Sequence, residues 1–313
     1  MKPNVTIKQG RRVKRLGGWR KYAVIALPYL WMSLFFFIPF LIILKISFAE
    51  SLDDSIPPYT SLFSYEDGTY RLNFSMYFGN YLSIFEDSTY LYSYLKSVKI
   101  ALISTLFCLC IGYPMAWAIA TCKRTMRNAL LMLVIMPSWT SFLIRIYAWM
   151  GILKPEGYLN SFLIWLGIVD EPLQLLHTDF AVYIGIVYAY LPFMILPLYT
   201  AIVRVDYSII EAGYDLGCRP ARCFFSLFVP QTYSGIIAGS MLVFIPAVGE
   251  YIIPELLGGP GANLIGRTIW DEYFMTRDWP LAAALATIML LILVVPVVLF
   301  YKSQRKDIVQ GVR

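Results

Sequence analysis

Six long apolar stretches most strongly limit what this chain can fold into. A helix needs about 20 apolar residues to cross the roughly 30 Å core of a bilayer, and each spanning segment must satisfy its own backbone hydrogen bonds. Of the 313 residues, 58% are hydrophobic and only 15% are charged, against about 25% charged in soluble proteins. The sequence therefore predicts an all-α integral membrane protein. Its six predicted transmembrane helices lie at approximately 23–49, 97–120, 129–153, 179–203, 233–254 and 279–301.

A seventh apolar stretch, residues 158–168, is too short to cross a bilayer. We expect it to form a short interfacial helix on the outer side or to re-enter the membrane. The first span is too long for a signal-peptide core, and no A-x-A-like cleavage site follows it. The chain is thus expected to form one transmembrane domain over 23–301. The polar parts are two tails, 1–22 and 302–313, and a segment at 204–232.

Lysine and arginine are distributed unevenly between the segments that separate the spans. Residues 1–22 contain eight of them, whereas residues 50–94 contain seven acidic residues and a single arginine, Arg71. Loops rich in lysine and arginine stay on the cytoplasmic side of a membrane. We therefore expect both termini and residues 204–232 to be cytoplasmic. The basic N-terminal tail is expected to contact anionic lipid headgroups and not nucleic acid.

Residues 204–232 contain the start and stop signals of a short helix. Ser208 and Glu211 fit a capping box, in which the serine hydroxyl accepts from the Glu211 amide and the Glu211 carboxylate accepts from the Ser208 amide. Asp206 is a competing N-cap. Gly217 suits the left-handed position that ends a helix, and Pro220 prevents the helix from continuing. The pattern predicts a helix of two or three turns. Such a short helix is stable only when it docks on something else.

The stretch EAGYDLG, followed nine residues later by LFVP, resembles the EAA signature of the permease subunits of type I ABC importers. The sequence departs from the signature at Gly213, where the family usually has alanine. The residues at the motif positions are Glu211, Ala212, Gly217, Leu227, Val229 and Pro230.

This resemblance implies that the short helix is a coupling helix, which binds in a groove of a cytoplasmic ATPase. The chain has no G-x-x-x-x-G-K-[ST] phosphate loop, so ATP and Mg²⁺ are expected on that ATPase, and this chain is expected to bind no cofactor and to catalyse no reaction. The implied partners are a second homologous permease, two ATPase subunits, a periplasmic substrate-binding protein and the lipid bilayer of a bacterial inner membrane. The residues expected to contact the ATPase are Glu211, Ala212, Gly213, Asp215, Leu216, Gly217 and Pro220.

Three further blocks resemble the polyamine permeases, first the putrescine type and next the spermidine type: MPSWTSFLIRIYAWMGIL, GIVYAYLPFMILPLY and AGSMLVFIPAVGEYIIPELLGGP. They imply import of putrescine or spermidine from the periplasm. A polyamine is a flexible cation, so its path should offer carboxylates and aromatic faces, and a cation–π contact contributes roughly 0.5–2 kcal/mol. Any one aromatic residue can equally serve in packing or at the membrane interface. The candidates for the substrate pathway are Glu250, Tyr251, Trp139, Tyr147, Trp149 and Tyr190.

Arg145 and Glu250 are ionisable residues inside predicted spans, where a charge is costly. Along continuous helices, each lies about 25 Å from the cytoplasmic end of its span. In one interpretation they form an intramembrane ion pair that fixes the packing of the third and fifth spans. In the other, Glu250 binds the substrate amine and Arg145 pairs elsewhere or limits where a cation can stop. On the outer side, Glu255, Asp271 and Glu272 are either solvated or contact a soluble donor protein.

Other classes of function have less support. The five cysteines and His177 are poorly placed for a metal site, and no oxidising compartment is expected around them, so neither a metal nor a redox role is predicted. No nucleophile–base motif of a membrane enzyme is present. A permease for another organic cation or an amino acid is an alternative. A secondary transporter is another, and it would work as a single chain in liposomes without ATP.

Overall fold

The computed structural model describes residues 18–52, 55–60, 63–65, 72–74 and 76–310. These residues are almost entirely helical, which confirms the predicted helical membrane class. Among them, four helices are long and apolar enough to cross a membrane, and the number rises to six if each of two bent helix pairs is one span. Most of the predicted N-terminal tail lies outside the described residues.

The first predicted span is a helix with one widened turn. Helix α1 (Gly18–Met32) continues through a π-helical turn (Ser33–Phe37) into α2 (Ile38–Ser47). Pro39 comes two residues after this turn, as Pro230 does after a second π-helical turn further along the chain. Proline lacks an N–H, and its ring collides with the carbonyl four residues earlier. Because that carbonyl lies inside the widened turn in both cases, the helix can continue past the proline.

A small antiparallel hairpin, which the all-α prediction missed, lies between the first and second spans. Strand β1 (Phe63–Tyr65) pairs with β2 (Leu72–Phe74), with Ser64 opposite Asn73. Three-residue strands are too short to show the alternating pattern that identifies a strand in a sequence. Helix α3 (Gly79–Glu86) follows the hairpin.

Asn80, at the start of α3, anchors the end of the first span. Its side-chain amide donates to the carbonyl oxygens of Ser47 at 3.1 Å and Ala49 at 2.8 Å, and it is buried. We expect Asn80→Ala to destabilise the detergent-solubilised chain by about 1–3 kcal/mol, because both buried carbonyls lose their donor. The thermal unfolding midpoint measures this loss. The matched control is Asn263→Ala, at an exposed loop residue; an equal loss in both variants would contradict the anchoring role.

Three helices form the centre of the bundle. They are α4 (Ser88–Thr121), α8 (Asp179–Ile202) and α12 (Tyr233–Val248), and each packs against the other two. The buried side chains form two clusters along them, one towards the end that carries residues 204–232 and one towards the opposite end.

The crossing of α8 and α12 is close because α12 presents glycines to α8. A Cβ atom on Gly235 would lie 2.5 Å from the Cβ of Ala201, and one on Gly239 would lie 2.7 Å from the sulfur of Met194. Small residues four positions apart are typical of tight crossings between membrane helices. The GIIAG pattern at 235–239 therefore fixes how near these two helices approach.

The third predicted span is not one continuous helix. Helix α5 (Arg124–Ile135) and the 3₁₀ turn after it (Met136–Trp139) form one run, and α6 (Phe142–Leu153) begins the next. The angle between the run Arg124–Trp139 and the run Phe142–Trp165 is 91°. Pro137 lies within the 3₁₀ turn, and the two residues that follow the turn have extended backbone. Helix α7 (Tyr158–Trp165) then occupies the stretch for which a short interfacial helix is predicted.

The remaining chain contains several short helices and one long helix. They are α9 (Tyr207–Asp215), α10 (Pro220–Cys223), a π-helical turn (Phe224–Phe228), α11 (Val229–Gln231), α13 (Ile252–Leu257), α14 (Ile265–Phe274) and the long α15 (Trp279–Gln310). The helical run Pro220–Gln231 meets α12 at an angle of 67°.

Candidate functional site

Helix α9 is the short helix that the sequence predicts between the fourth and fifth spans. Its N-cap is Asp206, whose Oδ1 accepts from the amide of Ser208 at 3.0 Å. Ser208 is therefore already inside the helix, and the predicted capping box with Glu211 is wrong. At the other end Gly217 has φ +77°, and the Cys218 amide donates to the carbonyl of the residue five positions earlier at 3.0 Å. The left-handed glycine thus ends the helix as predicted.

Helix α9 docks through one narrow face. Ile210 is buried in the same cluster as Phe228, and Gly213 is buried beside it. A Cβ atom on Gly213 would lie 2.6 Å from Cδ1 of Leu227 and 3.1 Å from Sγ of Cys223. The glycine at this position lets α9 lie directly on the helical run that follows it.

The other faces of α9 are open. Leu216, at its C-terminal end, is 89% exposed. Beside the helix is a cleft of about 520 Å³ with mostly aromatic walls, including Trp117, Tyr214 and Phe224. A protruding leucine next to an apolar cleft has the form of a docking surface. The other exposed residues of the predicted contact set are Glu211, Ala212, Asp215, Gly217 and Pro220.

Aromatic contacts connect this segment to the central helices. The rings of Phe224 and Phe228 stack with centroids 5.6 Å apart, and Trp117 of α4 lies 6.3 and 6.4 Å from them. Close by, the hydroxyl groups of Tyr113 on α4 and Thr232 are 2.9 Å apart. A displacement of α9 would therefore reach α4 through side chains, and α8 and α12 through the chain itself.

Glu250 lies in the break between α12 and α13 and is 8% exposed. Its carboxylate accepts hydrogen bonds from the hydroxyl of Tyr190 on α8 and from the backbone amides of Ile252 at 3.1 Å and Ile253 at 3.4 Å. Those amides are at the start of α13, where helix N–H groups have no partner within the helix. The carboxylate thus caps α13, and the positive end of the helix dipole favours its charge.

The predicted ion pair between Arg145 and Glu250 is not formed. Arg145 lies beyond the 91° bend. The prediction that Arg145 and Glu250 lie equally far from the cytoplasmic ends of their spans assumed a continuous helix, and it therefore does not hold. Its guanidinium carbon is 5.5 Å from the centre of the Phe142 ring, and its buried Nε has no hydrogen-bond partner among the described residues. Among the described residues, Lys96 pairs with Asp179, and Arg267 pairs with Glu255 and Asp271.

The predicted aromatic pathway residues are not all brought together. Tyr190 reaches Glu250. Tyr251, the next residue in the chain, instead stacks on Trp270 of α14 with ring centroids 5.0 Å apart. The other three are Trp149, which is half-buried, and Trp139 and Tyr147, which are more than half exposed.

The acidic residues on the α14 side have internal partners. Arg267 is 2.8 Å from Glu255 and 3.9 Å from Asp271. Burial raises the pKa of Asp271, and the Arg267 guanidinium opposes that shift. Glu272 accepts from the hydroxyl of Tyr90 at 2.9 Å. These contacts favour a structural role for the cluster over plain solvation.

Lys96 lies just outside the predicted second span, 97–120, but inside α4, which starts at Ser88. Its Nζ is 2.9 Å from Oδ1 of Asp179 and donates to the carbonyl of Gly261 at 2.7 Å, and its side chain is only 12% exposed. The contact ties α4 to the start of α8 and to the loop before α14. Asp179 is the first residue of the predicted fourth span, 179–203, but the sequence does not indicate its partner.

We expect Lys96→Met to lower the stability of the solubilised chain by about 1–3 kcal/mol, since a partly buried hydrogen-bonded charge is lost. Asp179→Asn should cost less because Asp179 is half exposed and therefore screened by solvent. A double-mutant cycle by thermal unfolding should be non-additive, because the two side chains share one contact. Lys99→Met, at an exposed lysine on the same helix, is the control. Strict additivity would show that the pair is not coupled.

Comparison with known proteins shows what this chain is similar to. Residues 108–308 match the family described as "Binding-protein-dependent transport system inner membrane component". The spermidine/putrescine transport system permease protein PotB of Escherichia coli (strain K12) is 38% identical over 275 residues, 88% of this chain and 94% of that protein. PotB of Haemophilus influenzae is 36% identical over 281 residues, which are 90% of this chain and 93% of that protein.

The fold is similar to that of a solved structure, a bacterial alginate ABC transporter in complex with alginate pentasaccharide-bound periplasmic protein. One chain of that crystal structure has a TM-score of 0.67 at 16% identity, and the match covers 92% of this chain and 95% of that one. The fold is therefore shared, and the family match spans both α9 and Glu250.

Proposed function

The chain belongs to the family of binding-protein-dependent transport system inner membrane components, and from this premise we propose that it is a permease subunit that imports polyamines with energy from a separate ATPase. The observation that carries this proposal is the 38% identity to a spermidine/putrescine permease over 88% of the chain. Both relatives above are named for spermidine and putrescine, the second of the two types that the motifs suggest. Spermidine and putrescine are thus both proposed substrates.

We propose that the chain works as half of a heterodimer, with two ATPase subunits that bind ATP and Mg²⁺ on the cytoplasmic side and a periplasmic protein that delivers the substrate. Both termini and α9 would then be cytoplasmic, as the distribution of lysine and arginine favours. Within the first span, Val24–Ser47, no residue of the 18-residue apolar window is buried within this chain. Because this apolar surface is exposed, we expect a second subunit or lipid to pack against it.

We propose that α9 is the coupling helix. ATP-driven closure of the ATPase would displace the exposed end of α9 at Leu216, and the buried face at Ile210 and Gly213 would pass this displacement to the Phe224–Phe228 run. From there it would reach α4 and α12, whose far end leads to Glu250. Such a cycle requires the nucleotide to favour one of two conformations of the assembly.

For substrate recognition we propose a contact with Glu250. A buried carboxylate with preset donors suits a substrate ammonium group, which can replace the hydrogen bond from the Tyr190 hydroxyl while the backbone amides of α13 stay in place. The alternative is that Glu250 serves only as the cap of α13. A charge-neutral variant separates these two roles, as argued in the Discussion.

The proposed function is tested by reconstitution with the ATPase and the second permease in liposomes, with binding protein outside and ATP inside. We expect uptake of labelled putrescine and spermidine that requires ATP and that arginine, a cationic amino acid, does not compete away. Competition by arginine would favour an amino-acid permease. Uptake by the purified single chain without ATP, driven by an ion gradient, would make it a secondary transporter.

A further inference from the structure

Two cysteines lie where α9 connects to α10: Cys218 is in the connecting segment, and Cys223 is the last residue of α10. Arg219 is the N-cap of α10 and Cys223 is its fourth helical residue, so Cys218 occupies the position just before the cap. Side chains at these two positions pack against each other across the first turn of a helix. In agreement, Sγ of Cys223 is 3.9 Å from the carbonyl oxygen of Cys218, and Sγ of Cys218 is 3.7 Å from the carbonyl oxygen of the next residue, Arg219.

The sulfur of Cys223 also supports α9. Cys223 is fully buried, and its Sγ would lie 3.1 Å from a Cβ atom on Gly213, in the middle of the docked face of α9. A disulfide requires an S–S distance of about 2.05 Å. Any movement of the Cys223 sulfur towards Cys218 that forms this bond changes its packing beneath Gly213.

We propose that Cys218 and Cys223 are a modification site, a dithiol that closes into a reversible disulfide and thereby loosens the support of the coupling helix. The effect on transport rests on the proposed function of α9. From the sequence no redox role is expected for these residues, because the expected compartment is reducing. Under reducing conditions the pair is open, α9 is firmly docked, and transport proceeds.

The oxidant is a low-molecular-weight disulfide. The thiolate of Cys218, which is partly exposed, attacks one sulfur of that disulfide, forms a mixed disulfide and releases one small thiol. The thiolate of Cys223 then attacks the sulfur of Cys218 and releases the second small thiol. Two protein thiols are oxidised, one small disulfide is reduced to two thiols, and the two protons from the protein pass to the released thiolates.

The linkage is tested by mass spectrometry on the assembled transporter in membrane vesicles. The vesicles are treated with glutathione disulfide, free thiols are blocked with N-ethylmaleimide, and the protein is digested with trypsin. Trypsin cuts after Arg222, which separates the two cysteines, and not between Arg219 and Pro220. We expect residues 205–222 joined to 223–267, a product that dithiothreitol removes and that Cys218→Ser lacks. Glutathione on Cys218 without this joined product would overturn the proposal.

The effect on α9 is tested by ATP-dependent uptake of putrescine in the same vesicles. We expect oxidation to lower the uptake rate at least threefold and dithiothreitol to restore it. Cys218→Ser should be insensitive to oxidation, whereas the control Cys122→Ser should stay sensitive. Equal inhibition of the wild type and Cys218→Ser would overturn the switch. The joined peptides are measured without any coupling to ATP, so a failure of the proposed transport function, seen as no uptake in the reduced protein, is distinct from a failure of the cysteine pair.

Discussion

Leu216→Asp is expected to abolish ATP-dependent polyamine uptake while the chain still inserts and folds. Leu216 is 89% exposed, so the substitution removes almost no packing within the chain. If the end of α9 is buried in a groove of the ATPase, the new carboxylate would be desolvated there without a partner. A hot-spot residue at the centre of an interface costs at least about 2 kcal/mol when it is replaced, which corresponds to a loss of roughly 30-fold in affinity. Co-purification of the ATPase and uptake in vesicles should therefore fall together.

The control for this variant is Met126→Asp, which introduces the same charge at an exposed residue near the start of α5. It should leave both ATPase binding and uptake close to wild type. Normal uptake by Leu216→Asp in an assembled transporter would show that the ATPase does not grip this end of α9. The proposed coupling mechanism would then be wrong, although membership of the family would be unaffected.

The existence and the end of α9 could be predicted because local residues decide them. Gly217 and Pro220 restrict the backbone whatever surrounds them. The start of the helix was left open between Ser208 and Asp206, because both residues can cap it and the choice depends on a distant contact. The backbone amide of Asp206 donates to the side chain of Gln231 at 3.1 Å. This bond holds Asp206 at the cap position, and it is invisible until the fold brings α11 beside α9.

At the candidate substrate site, too, part could be predicted from local sequence and part depends on distant contacts. The cost of a buried charge singles out Glu250 from the sequence alone, and Tyr190 is among the aromatic residues predicted for the substrate pathway. Their contact depends on how closely α13 approaches α8. A Cβ atom on Gly185 of α8 would lie 2.7 Å from atoms of both Ile253 and Leu257, so this approach requires a glycine there.

Arg145 was misplaced for a different reason. Pro137 signals a distortion of the third span, but a proline does not set the direction of the chain after it. The 91° bend depends on how α6 packs against α8 and α13. A depth counted in residues holds only for an unbroken helix, and the ion pair inferred from that depth was lost with it.

Glu250→Gln is expected to raise the apparent KM for putrescine at least tenfold in an assembled transporter. The glutamine keeps the size of the side chain, and its oxygen can still accept from the amides of Ile252 and Ile253, so α13 stays capped. What is removed is the negative charge opposite the substrate ammonium group. Hydrogen bonds to charged groups contribute about 1.5–3 kcal/mol, and this range sets the expected loss. Initial uptake rates over a range of putrescine concentrations give the KM, and co-purification of the ATPase verifies assembly.

Tyr190→Phe and Glu250→Ala complete the experiment, because they separate the charge from the cap. Tyr190→Phe removes one donor and leaves the charge, so its KM should change less than threefold. Glu250→Ala removes both the charge and the cap, and its thermal unfolding midpoint should fall while that of Glu250→Gln does not. An unchanged KM in assembled Glu250→Gln, together with a destabilised Glu250→Ala, would limit Glu250 to holding α13. The cation would then have to meet its counter-charge elsewhere, on the second permease or on another carboxylate of this chain.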